Sequence, residues 1–127
     1  MIGVNNFLFN IPAERTHEEY KSLIGLINSK LSFNKIYLLE LLPIGYNSFF
    51  VDRDEINLLI KGFNNHIRTL VKKDRTGKIY FVPLFSQFKD KNDQLKSAYT
   101  NDGIHLNVKG VKLLKENILS FLFDARK

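Results

Sequence analysis

Apolar positions along the chain fall into two rhythms. Tyr20, Leu23, Ile24, Ile27 and Leu31 recur at helical spacing behind Thr16 and Glu19, which have the T-x-x-E spacing of a capping box. This predicts a helix over 17–31. Lys35 to Leu42 then reads KIYLLELL, a continuous apolar run between Asn34 and Pro43, which suits a strand covered on both faces of a parallel sheet. After the turn residues Pro43, Gly45 and Asn47, Asp52 or Arg53 opens a second helix. Its stripe is Ile56, Leu59, Ile60, Phe63, Ile67, Leu70 and Val71, with Lys61, Asn64, Asn65, Arg68 and Lys72 on the opposite face. Gly77 stops that helix, and Lys78 to Pro83 (KIYFVP) predicts another buried strand. Leu84 to Asn107 is polar and aperiodic, and loops of that length in small domains are usually functional or mobile. In the last helix, Val108 to Phe123, the inward positions are Val111, Leu114, Ile118, Phe121 and Leu122.

Strand and helix in alternation argue for an α/β domain with a parallel sheet and right-handed crossovers, one domain over residues 1–127. Two full strands make a thin sheet, and the remaining strand candidate is the stub Met1 to Val4. Composition supports a real core: 44% hydrophobic and 25% charged residues, with 11 Phe, exclude disorder and low-complexity sequence. Without Cys there is no disulfide, thiolate nucleophile or Cys-ligated zinc. No run of about 18 apolar residues and no secretion signal is visible, so a soluble, cytoplasmic chain is expected, with no membrane partner. The net charge of +6 changes little, because the basic residues are scattered and the longest cluster is Lys72, Lys73, Arg75 and Lys78. A solvated basic surface accounts for it better than a nucleic-acid partner.

Chemistry concentrates in Asp102-Gly103-Ile104-His105-Leu106-Asn107, followed by Gly110. An Asp three residues before a His is able to hold the imidazole Nδ1–H and leave Nε2 as a base. The same spacing also suits an Asp that caps a turn with Gly103 while His105 packs, and the residues alone leave both open. Elsewhere His17 reads as a solvated residue in a first helical turn, and His66 lies on a polar helix side without a partner at metal spacing. Asp90 and Asp93 read as exposed loop, Phe49 and Phe50 as core or acyl-pocket lining, and no glycine-rich phosphate cradle is present. No cofactor or metal is expected.

The block DGIHLNVKGVKLL resembles the last conserved block of the SGNH, or GDSL-type, ester hydrolases, and Ile2-Gly3-Val4-Asn5-Asn6 resembles that family's Gly-x-Asn-Asp block, with Asn6 where the family usually has Asp. The segments between, a strand ending in Leu-Leu-Pro, a helix with Ile56-Asn57 and Phe63-Asn64, and a strand ending near Pro83, are in the family's order. The resemblance implies a truncated flavodoxin-like, SGNH hydrolase-type three-layer domain with a short parallel sheet flanked by helices. It implies catalytic His105 and Asp102, an oxyanion donor in Asn5, and an acyl-ester substrate for an esterase, acylhydrolase or O-deacetylase.

The family's Gly-Asp-Ser nucleophile block and its second oxyanion block have no counterpart here, and none of Ser22, Ser29, Ser32, Ser48, Ser86, Ser97 and Ser120 stands in a Gly-Asp-Ser context. The nucleophile is unknown, and the chain alone is expected to be nearly inert. Two outcomes follow: a complementing chain supplies the missing strands, or the domain is a catalytically silent assembly module. In the second case it would self-associate through an exposed sheet edge at the Met1–Val4 stub or the strand at 35–42.

Overall fold

Alternation along two short strands builds both faces of the sheet. A computed structural model describes residues 2–30, 35–46 and 52–124. Its elements are α1 (Val4–Leu8), α2 (Ala13–Lys30), β1 (Ile36–Leu39), α3 (Arg53–Lys73), β2 (Ile79–Val82), α4 (Phe85–Phe88), a 3₁₀ turn (Ser97–Tyr99) and α5 (Val108–Asp124). β1 and β2 run parallel, with Ile36 opposite Ile79 and Leu39 opposite Val82. Successive side chains point to opposite faces. Ile36 and Leu38 therefore join Ile24, Ile56, Ile60, Phe63 and Ile67 under α2 and α3. Tyr37 and Leu39 join Leu84, Phe88, Leu95, Leu114 and Phe121 on the α5 side. The result is helix, sheet and helix in three layers, the α/β class expected from the pattern.

Local sequence explains the element ends, and several expectations are corrected. α2 begins at Ala13, not 17, and its first bond runs from Thr16 N–H to Pro12 O at 3.0 Å. Proline is suited to a helix start, so Thr16 lies a full turn inside and forms no capping box. Its hydroxyl turns back to Pro12 O at 3.2 Å, and Glu19 pairs with Arg15 instead. The expected end at Leu31 lies outside the described residues. The Met1–Val4 stub is no strand among the described residues either. Ile2 and Gly3 are irregular, and Gly3, at φ 136°, turns the chain into α1. α3 opens as expected, with Asp52 accepting from Asp54 N–H and Glu55 N–H. The stretch 84–107 contains α4 and the 3₁₀ turn and buries Leu84, Phe85, Phe88 and Leu95, so it is packed rather than loose. Within it Asp93 is not a bare loop carboxylate. Lys61 and Lys89 both donate to it and hold it down at about 2.

His17 and His66 also differ from the solvated reading. Their rings stack at 4.4 Å between α2 and α3, with Phe63 5.7 Å from His17, and both Nε2 atoms are buried without a partner. Burial, then the nearby His17, Lys21 and Lys73, lowers the His66 pKa. The unfolded chain takes up the proton first as pH falls, so stability is expected to drop below about pH 6.5. Urea denaturation at pH 7.5 and 5.5 checks this, and His66→Gln should remove part of the difference.

Candidate active site

Asp102 performs both jobs that its spacing allowed. Its Oδ1 accepts from Ile104 N–H at 2.9 Å and His105 N–H at 2.8 Å, closing the turn in which Gly103 takes φ 83°. Its Oδ2 accepts from His105 Nδ1 at 2.6 Å. That bond first, then the two backbone donors, holds the Asp102 carboxyl well below the usual carboxylate range. The His105 ring does not pack: its side chain is 82% exposed. With Nδ1–H committed to a carboxylate, Nε2 is left as the acceptor.

The turn is held from beneath by Thr100, which is buried. Its hydroxyl donates to His105 O at 2.7 Å and accepts from Gly103 N–H at 2.9 Å. Asn107 then joins the turn to α5, accepting from Gly110 N–H at 3.0 Å and donating to Ala98 O at 3.1 Å. Gly110 is needed for space, since a Cβ there would lie 2.5 Å from Tyr99 O. These contacts give the Leu-Asn-x-x-Gly run a physical reason.

A cleft of about 290 Å³ beside His105 is lined by Val4, Asn5, Leu41, Leu42, Pro43, Ile44, Ile104 and Leu106. The fold thus brings Asn5 and His105 to one opening, although 100 residues separate them in sequence. Ser86 and Ser97 line other hollows, and among the described residues no serine lines this one. Ser48, Phe49 and Phe50 lie outside the described residues.

The cleft wall 41–44 is hung from α3 by two buried amides. Asn64 Oδ1 accepts from Leu41 N–H at 2.8 Å and its Nδ2 donates to Leu41 O at 2.9 Å. Asn57 makes the same pair of bonds to Ile44, at 2.8 and 2.9 Å. Asn64 is therefore not on the outer polar face assigned to it from periodicity, because its amide satisfies a peptide group that has left the sheet. Gly45 N–H donates to Gly103 O at 2.6 Å, joining this wall to the Asp102 turn. Asn57→Ala would strand both Ile44 groups and is expected to cost about 2–3 kcal/mol, read from the urea midpoint.

Comparisons with known proteins agree with this architecture. The sequence model of the GDSL-like lipase/acylhydrolase family matches residues 1–113. A structure described as a candidate platelet activating factor from Streptococcus pneumonia superposes with a TM-score of 0.83 at 24% identity, over 96% of this chain and 57% of that one. A candidate acylhydrolase from Bacteroides fragilis gives a TM-score of 0.71 at 23% identity, over 91% of this chain and 54% of the other. The N-acylneuraminate cytidylyltransferase of Escherichia coli is 33% identical over 98 residues, which is 77% of this chain and 21% of that protein. The chain thus spans little more than half of its solved neighbours and about a fifth of that curated relative.

Proposed function

Because this chain belongs to the GDSL-like lipase/acylhydrolase family, we propose that it carries the acid–base half of an acyl-ester hydrolase, with the serine nucleophile supplied by a segment outside these 127 residues. The observation that carries this reading is the 2.6 Å Asp102–His105 bond on a cleft shared with Asn5. His105 Nε2 takes the serine proton as the serine oxygen bonds to the acyl carbon, and Asn5 donates to the oxygen that becomes negative. The imidazolium, balanced by Asp102, returns the proton to the departing alcohol as the ester C–O bond breaks. Water repeats the sequence on the acyl-serine, releasing the acid.

The chain alone is expected to show no adduct with a fluorophosphonate probe by intact mass. Combined with the nucleophile-bearing segment, it should hydrolyse short-chain aryl esters in a His105-dependent way. A stable complex with no turnover above that of its His105→Ala variant would sink the reading. O-acetylated N-acylneuraminate belongs in the substrate panel, since the curated relative is named for that acidic sugar and the chain's charge is +6.

A further inference from the structure

We infer that Asn6 is a positioning residue of the site: by donating to Thr16 and Glu19 on α2 it fixes how α1 is turned, and with that the direction in which Asn5 presents its amide to the cleft. The role of Asn5 rests on the hydrolase reading, whereas the hold of Asn6 on α1 is measurable without it.

α1 has five residues and no side-chain cap at Gly3, far short of the length at which a helix stands alone in water. Its shape therefore depends on what grips it. Phe7 is buried edge-on to Phe63 of α3 at 5.8 Å, and Val4 and Leu8 pack beside the same core. Apolar contacts are non-directional, so they set the depth of α1 more firmly than its rotation.

Asn6 supplies the directional contact. Its Nδ2 donates to Thr16 Oγ1 at 3.3 Å and to Glu19 Oε2 at 3.5 Å. Both acceptors are themselves held: Thr16 is buried with its hydroxyl proton on Pro12 O at 3.2 Å, and Glu19 Oε1 accepts from Arg15 at 2.7 Å. Successive helical residues point about 100° apart. With Phe7 gripped by α3 and Asn6 by α2, Asn5 keeps the exposed side and lines the cleft with His105. A productive donor has to be held within about 10–20°, so a small roll of α1 takes the Asn5 amide off its target.

Polarity makes the side chain specific. The Thr16 proton is spent and Glu19 is a carboxylate, so a donor is what fits between them. Asp, the usual residue of the family at this place, would bring a second carboxylate against Glu19 and no proton. Asn6 and the two α2 residues are thus a matched set, which gives the departure at this position a physical reason.

The test is Asn6→Asp, alone and with Glu19→Gln, whose amide returns a donor to the pair with its direction reversed. In the isolated chain at pH 7, Asn6→Asp should speed exchange about tenfold at the Phe9, Asn10 and Ile11 amides, which bond back to Asn5 O, Phe7 O and Asn6 O, while the α3 amides stay unchanged. Adding Glu19→Gln should recover most of that loss. As pH falls from 7 towards 4 the introduced carboxyl gains a proton and becomes a donor, so the gap to the parent at the same pH should narrow. In the complex with the nucleophile-bearing segment, Asn6→Asp should lower kcat about 10–100-fold with KM little changed, and should add nothing in an Asn5→Ala background, because its effect passes through that amide. The inference is overturned by unchanged exchange at the three amides, by equal speeding of the α3 amides, by a loss that Glu19→Gln does not recover, or by a kcat loss of the same size with and without the Asn5 amide. The expected exchange pattern in a complex without His105-dependent turnover sinks the hydrolase reading and leaves the hold of Asn6 on α1 standing.

Discussion

Replacing His105 by Ala is expected to reduce kcat of the assembled hydrolase by about 10⁴–10⁶, the range seen when a base is removed from serine hydrolases. The ring is exposed and the turn is held by Asp102 Oδ1 and Thr100, so the fold should be untouched, as circular dichroism would show. Asp102→Asn separates the two tasks of that side chain. The Asn oxygen keeps the turn, accepting from the Ile104 and His105 backbone, but its amide then faces His105 Nδ1. A donor there forces the proton to Nε2, which removes the base while leaving the geometry. A loss near 10⁴ in kcat with little change in KM is expected, as for the equivalent change in serine proteases. An equal loss in the urea midpoint instead would assign Asp102 a structural role only.

The largest expected effect on stability comes from Glu40. Its side chain is buried within a strand end, with Arg68 donating to Oε1 at 2.8 Å and the Leu84 and Phe85 N–H groups donating to Oε2, each at 2.7 Å. Removing a buried partner leaves desolvated donors, which typically costs about 3–5 kcal/mol. Glu40→Ala should therefore lower the urea midpoint severely or leave the chain unfolded at 37 °C. Glu40→Gln keeps one oxygen for the two backbone donors but sets an amide against Arg68, and should fall between. A Glu40→Ala chain as stable as its parent would show that the carboxylate is dispensable.

Periodicity made the helices and strands legible because they bury one stripe or one face, and α3 and the two strands fall where the pattern put them. It failed where a side chain does a backbone's work. Asn57 and Asn64 lie seven residues apart, in phase with Ile56, Ile60, Phe63 and Ile67, yet an amide there is indistinguishable from a solvated one until the strand end reaches it. Glu40 lay inside an apolar run, and its placement in the run was the one signal that it needed partners. The His17–His66 stack was hidden because the two residues belong to helices whose contact is tertiary. Residues 84–107 bury large side chains without any period, since turns of three or four residues are too short to have one. The Asp102–His105 pair was readable because both residues share one turn, and its meeting with Asn5 required the sheet.

The polar clamps around the cleft also fix when the site comes into being. Leu41 is bonded to a side chain 23 positions away, and Leu84 and Phe85 to one 44 and 45 positions away. None of these bonds has a local substitute, so the rim has no shape until α3 has docked on β1. The Leu41 and Ile44 amides, both bonded to α3 side chains, are then expected to open together in hydrogen exchange, when the helix leaves the sheet.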